Sequence, residues 1–206
     1  MYKRLFDISS AGLGLLVISP LFLLLSILVM IFHGRPIFFT QVRPGKDSRP
    51  FRMVKFRSMT NQTDQHGNLL PNERRLTRFG RFLRSTSLDE LPELLNVIKG
   101  DMSLVGPRPL LMDYLPYFTE EHNKRHRVRP GITGWAQING RNAIGWDDKL
   151  ALDVWYVENR TFWLDLQILF RTFIKVFKRE DINHSKSEPM PRFDEYMRQK
   201  PGQETD

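Results

Sequence analysis

Cysteine is absent from all 206 residues, which excludes a disulfide framework, a thiolate zinc site and a cysteine nucleophile. Acidic residues are in deficit: 23 Asp and Glu face 31 Lys and Arg, a formal net charge of +8. That excess points to an anionic partner: nucleic acid, anionic lipid or a phosphate-rich substrate. No Walker A sequence is present and no G-x-G-x-x-G follows a strand, so neither glycine-rich nucleotide fingerprint applies. His122 and His126 stand four apart, but Asn123 occupies the position where a zincin helix needs Glu. Charge is also missing locally, because nothing from Ile8 to Phe32 is charged.

That uncharged segment has 25 residues, about 37 Å as a helix against a hydrocarbon core of about 30 Å. A soluble core helix is seldom so long and apolar on every face. A cleavable signal would have a shorter apolar run and a small-residue cleavage site. Membrane insertion follows, and it leaves nucleic acid as a poor account of the positive charge. Ser19-Pro20 sits at the segment's centre. Proline removes the donor for the Leu16 carbonyl and predicts a kink; a Ser19 hydroxyl bonded back to the Leu15 carbonyl would offset part of the cost.

Lys3 and Arg4 precede the segment, and Arg35, Arg43, Lys46, Arg49, Arg52, Lys55 and Arg57 follow it with only Asp47 in opposition. A span would strand one basic flank on the far side, against the positive-inside tendency. A re-entrant hairpin hinged at Ser19 and Pro20 returns both flanks to the anionic cytoplasmic face. The flanks favour re-entry; a Pro-kinked spanning helix is the alternative.

Beyond it, Ile37–Val42 and Phe51–Met59 read as a hairpin around Pro44-Gly45, and Asn61–Asn72 as a polar loop. Glu73–Arg84 carries Arg75, Arg78, Arg81 and Arg84 opposite Leu76, Phe79, Phe82 and Leu83, the pattern of an interfacial amphipathic helix or of an ordinary solvated charge face. Asp89–Ile98 is a short helix stopped by Lys99-Gly100, and Asp147–Asn159 and Phe162–Lys178 are longer ones. The expected fold is a single helix-rich α+β unit. It divides into a membrane helix over 1–33, a main domain over 34–182 and a polar, proline-bearing tail over 183–206 that should be mobile.

Three stretches can carry chemistry. In Ser87-Leu88-Asp89-Glu90-Leu91-Pro92, Ser87 and Glu90 fit a capping box. The adjacent carboxylates can equally attack phosphorus or hold Mg²⁺ beside substrate phosphates. In Gly106-Pro107-Arg108-Pro109, two prolines stiffen the backbone around Arg108, which suits a bidentate phosphate clamp or a rigid turn with a solvent-facing arginine. From Arg129 to Arg141, three glycines, Trp135 and two arginines can form a loop that stacks a base near phosphate, or simply a run of turns.

Five motifs stand in an order that resembles the bacterial sugar transferases, the monotopic phosphoglycosyl transferases. They are Lys55-Phe56-Arg57-Ser58-Met59, Arg84 with Ser87–Pro92, Gly100-Asp101-Met102-Ser103, Val105–Pro109 and Arg129–Gln137. The resemblance runs from about residue 1 to 180 and is greatest to the small members that act in protein N-glycosylation. It implies transfer of a sugar 1-phosphate from a UDP-sugar, UDP-N,N′-diacetylbacillosamine in those members, to undecaprenyl phosphate, with UMP released. It further implies Asp89 as nucleophile, Glu90 as its assistant, and both as Mg²⁺ ligands. Lys55, Arg84, Arg108, Arg129, Gln137, Arg141 and Asp153 fall at substrate- and phosphate-binding positions. The setting implied is the cytoplasmic face of a bacterial inner membrane, with membrane lipids as partners and no nucleic acid.

The competing expectations are the same chemistry with another UDP-sugar for polysaccharide assembly, a glycosyltransferase that releases UDP, and a non-enzymatic scaffold for anionic lipid.

Overall fold

The computed structural model describes residues 2–140, 144–178 and 191–199. Instead of the single unit expected, the chain forms two compact units, Met1–Gln41 with Arg52–Gly100, and Val42–Phe51 with Asp101–Asp206. The division runs through the hairpin, between Gln41 and Val42 and between Phe51 and Arg52, and again after Gly100.

The first unit begins with helix α1 (Tyr2–His33), continuous through Pro20. The Ser19 hydroxyl donates to the Leu16 carbonyl at 2.8 Å and not to Leu15. The reason is local: Leu16 holds the carbonyl that proline leaves without a donor. Strands β1 (Phe38–Pro44) and β2 (Pro50–Phe56) pair as the hairpin, close to the bounds expected. The arginine-rich stretch is two helices rather than one, α2 (Asn72–Arg75) and α3 (Arg78–Ser85). Leu76 between them is extended and bridges to Met59, and the Thr77 side chain then caps α3 by accepting from Gly80 N. Gly80, which weakens a helix, permits close packing: a Cβ there would lie 1.9 Å from the Ser58 carbonyl oxygen. Helix α4 (Glu93–Lys99) closes the unit and ends on Gly100, which takes φ +104°. Its core joins Leu25 and Val29 of α1 to Phe56 and Leu83.

Both ends of α1 are tied to this unit. Near the start, Arg4 donates to the Val97 and Ile98 carbonyls at 2.6 and 2.9 Å, on the last turn of α4. At the finish, buried Arg57 donates to the carbonyls of His33, Gly34 and Arg35, and His33 Nε2 lies 2.8 Å from Thr77 Oγ1. A guanidinium on the last carbonyls of a helix satisfies orphan acceptors and complements the negative end of the dipole. Between these ties the helix is largely bare: Leu13, Leu16, Val17, Leu23 and Leu24 are all exposed.

In the second unit, β3 (Ser103–Val105) and β4 (Gly131–Thr133) pair in parallel, Ser103 opposite Gly131 and Val105 opposite Thr133. The remaining helices are α5 (Glu120–Asn123), α6 (Trp135–Ile138), α7 (Trp146–Asn159), α8 (Phe162–Lys178) and α9 (Phe193–Gln199). One core cluster packs Val105, Val128, Ile138, Tyr156, Leu164 and Ile168. A second gathers Leu110, Tyr114, Phe118, Trp146 and Leu150 around Phe193 and Met197 of α9.

Over 191–199, then, the expected mobile tail is a docked helix. Phe193, Tyr196 and Met197 recur at helical spacing, and Trp146 Nε1 donates to the Pro191 carbonyl at 2.9 Å. The rest of the expected tail lies outside the described residues.

Candidate active site

The carboxylate pair occupies a tight turn, not the helix expected. Ser87 takes φ 56°, Leu88–Glu90 form a single 3-10 turn, and the α-helix begins only at Glu93 with Pro92 as its N-cap. The Ser87 side chain makes no capping bond, so the capping box legible in the sequence is not formed. Left-handed Ser87 turns the chain before Asp89, and Pro92 has no N–H to offer the ladder.

Asp89 is buried, 8% exposed. Lys55 Nζ, from β2, lies 2.9 Å from Glu90 Oε1 and 3.1 Å from Glu93 Oε1. Arg84, from the last turn of α3, donates through Nε to Ser58 Oγ at 2.9 Å. Lys55 and Glu90 therefore meet directly. Arg84 shares their unit, held by the residue three positions beyond Lys55.

The second unit brings two separately read motifs together. The β3–β4 pairing lays Gly100–Pro109 beside Arg129–Gln137: Gly106 N donates to the Thr133 carbonyl at 2.9 Å, and Gly131 N to the Pro107 carbonyl at 3.0 Å. The glycines serve this close approach. A Cβ on Gly106 would lie 2.4 Å from the Arg129 carbonyl oxygen, and one on Gly131 would lie 2.1 Å from Gly106 N. Arg108 follows directly, between its prolines. Trp135, which could have stacked a base or served a turn, stacks on Trp155 with centroids 4.8 Å apart. Gln137 turns inward and donates to the Ile132 carbonyl at 3.1 Å. Arg129 precedes β4, and Arg141 lies outside the described residues.

Asp153 is interior. Its carboxylate receives Arg125 through Nη2 at 2.7 Å and Nε at 3.2 Å, and the same Nη2 donates to the Arg108 carbonyl at 2.7 Å. Burial pushes the Asp153 carboxyl upward while the touching guanidinium pulls against it. Lys149, one turn earlier on α7, carries its ammonium 5.1 Å from the Trp146 ring centroid, and burial pushes that ammonium below its ordinary range.

Sequence reasoning passed over Glu93, Arg125 and Arg57. Glu93 resembled an ordinary first-turn acid, and Arg125 stood in a run of cations with Lys124 and Arg127. Arg57 stood inside a motif already credited to Lys55.

A model of the bacterial sugar transferases matches residues 1–179. The chain belongs to this family. It is 56% identical over 191 residues to the sugar transferase EpsL of Bacillus subtilis, covering 93% of this chain and 95% of that one. It is 42% identical to a UDP-N-acetylgalactosamine-undecaprenyl-phosphate N-acetylgalactosaminephosphotransferase of Aeromonas hydrophila, across 82% of this chain. A UDP-glucose:undecaprenyl-phosphate glucose-1-phosphate transferase of Klebsiella pneumoniae is 41% identical, across 86%. The chain spans only 42% and 40% of those two longer relatives. Docked α9 lies beyond the residues the family model matches.

The donor chemistry of this sugar transferase suits magnesium in one way. Asp89 and Glu90 are adjacent hard oxygen donors, and among the described residues no group of three or more His, Asp or Glu is placed to cage a metal. Mg²⁺ is commonly held by one or two carboxylates plus substrate phosphates, so the residues fit an ion that arrives with the substrate.

Proposed function

We propose that the protein transfers a sugar 1-phosphate from a UDP-sugar to undecaprenyl phosphate at the cytoplasmic membrane face, through a covalent intermediate on Asp89. The observation that carries this reading is the Lys55–Glu90 contact beside buried Asp89, in a turn whose Ser87 side chain makes no capping bond. A carboxylate oxygen of Asp89 attacks the β-phosphorus, the bond from that phosphorus to the bridging oxygen breaks, and UMP leaves. An oxygen of the lipid phosphate then attacks the same phosphorus and releases Asp89. Glu90 assists this second step by taking the proton of the acceptor phosphate or by orienting it. Lys55 stabilises phosphate oxygens as charge develops. Magnesium, held by Asp89 and Glu90, supplies charge neutralisation of the diphosphate when bound.

Arg108 is the phosphate-binding group of the second unit, with Arg125 and Asp153 fixing its loop. Relatives' names speak of N-acetylgalactosamine, glucose and galactose, which supports UDP-hexoses and UDP-N-acetylhexosamines as the donor class. UDP-N,N′-diacetylbacillosamine remains one member of that panel.

Re-entry is supported by the two arginine ties. Arg4 and Arg57 bind opposite ends of α1 to one compact unit, while the apolar middle stays bare. Exposed Arg78, Arg81 and Phe82 on α3 support an interfacial lie for that helix.

The test is product identity. With polyprenyl phosphate and a panel of UDP-sugars, the account expects UMP and a lipid-linked sugar diphosphate from at least one donor. UDP as the nucleotide product assigns a glycosyltransferase instead. Liposome binding without turnover for any donor assigns the scaffold.

A further inference from the structure

We propose that Glu93 is a positioning residue for this transfer: it acts through Lys55, which it holds against Glu90 with an N–H left for a substrate phosphate. The inference rests on the reading above.

Glu93 is 0% exposed, so it cannot meet a substrate. Lys55 and Glu90 are 15% and 20% exposed at their side chains and can. The Lys55 ammonium lies 2.9 Å from one carboxylate and 3.1 Å from the other. An ammonium has three N–H donors. One N–H donates to Glu90 Oε1, while Glu93 pairs with the ammonium by charge at 3.1 Å without a hydrogen bond, which leaves an N–H for an oxygen outside the protein. Glu93 thereby converts a flexible four-carbon side chain into a charge fixed in place. Electrostatic catalysis depends on that preorganisation.

Stability is a weak alternative explanation for the ion pair. Burying two charges costs about as much as their attraction returns, and well-packed apolar pairs usually do as well. Nor is the pair needed to seat α4 on β2. Asn96, on the next turn of α4, already clamps one edge of that strand: Val54 N donates to Asn96 Oδ1 at 3.0 Å, and Asn96 Nδ2 donates to the Arg52 carbonyl at 2.8 Å. Val54 is the residue before Lys55. The frame is fixed by the amide, and the buried carboxylate is left to fix the charge.

The test is a double-mutant cycle on UMP release by the full-length chain in detergent or nanodiscs. Glu93→Gln keeps the side chain's size and removes its charge, and should lower kcat/KM by about 10- to 100-fold. Lys55→Met should lower it by at least as much. The combined variant should be within about 2-fold of Lys55→Met alone, because the effect of Glu93 on transfer runs through Lys55. Equal losses from Glu93→Gln with and without Lys55, or wild-type kcat/KM in Glu93→Gln, would overturn the inference and leave the transfer reaction standing. Should Glu93→Gln fail to fold, Glu93→Asp carries the test. It keeps the charge but withdraws it by one methylene, and wild-type kcat/KM in that variant also overturns the inference. Absence of UMP release from the wild-type chain removes the function and the inference together.

Discussion

Arg125 grips Asp153 through two nitrogens inside the second unit and uses one of them again on the Arg108 carbonyl. An acid that the resemblance placed at the substrate is thereby committed to an arginine that also fixes the Arg108 loop. Breaking such a pair from one side strands a buried charge, so Arg125→Met should destabilise the protein by about 3–5 kcal/mol. The double replacement Arg125→Met with Asp153→Leu should recover most of that stability in denaturant unfolding. It should still lose about 10-fold in kcat/KM, because the Arg108 carbonyl no longer has its donor. Recovery of both would make the pair purely structural.

His126 is buried beside Arg125, and burial pushes its imidazole down to about 4. The unfolded chain then binds more protons than the folded one between about pH 6.5 and pH 4. Stability should be full above pH 6.5 and fall as pH drops through that window, by on the order of 3 kcal/mol. His126→Phe should flatten the dependence. Unfolding midpoints measured from pH 7.5 to 4.5 check it, and an unchanged slope in the variant excludes His126 as its source.

Helix α9 should contribute stability despite lying outside the family match. Phe193 is fully buried among Tyr114, Phe118 and Trp146, so Phe193→Ala should cost about 3–5 kcal/mol. Limited proteolysis should then cut within 191–199 much faster than in the wild type. Equal cutting rates would mean that the helix is not docked in solution.

The topology of α1 can be read with single cysteines, since the natural chain has none. Tyr2 and Lys46 are exposed, whereas neighbouring Gly45 is buried. Re-entry predicts that Tyr2→Cys and Lys46→Cys are both shielded from an impermeant reagent in intact cells. Labelling of Tyr2→Cys alone establishes a span.

Much of this architecture was legible because local chemistry and tertiary context agree. Phe162–Lys178 is a helix by apolar period, and Gly100 ends α4 where a left-handed residue was needed. The misreadings arose where distant partners overrode local pattern. Leu76 has good helical neighbours but pairs with Met59, which divides the arginine helix. Ser87 and Glu90 have capping-box spacing, yet the positive φ at Ser87 breaks it. Strands β3 and β4 are three residues each, too short for period two to register, and only their pairing explains the glycines. At the candidate site, Asp89 and Glu90 stood out by adjacency. Glu93 and Arg125 did not, because a buried charge and a solvated one look alike in sequence.

The central claim is the covalent step, and peptide mass spectrometry tests it most directly. Incubated with a turnover-competent UDP-sugar but no polyprenyl phosphate, the protein should release UMP and carry one sugar phosphate on the peptide containing Asp89. The adduct should vanish on adding lipid phosphate and never form in Asp89→Asn. An unmodified Asp89 peptide, with UMP appearing only once lipid phosphate is present, would contradict the account and assign direct transfer in a single step.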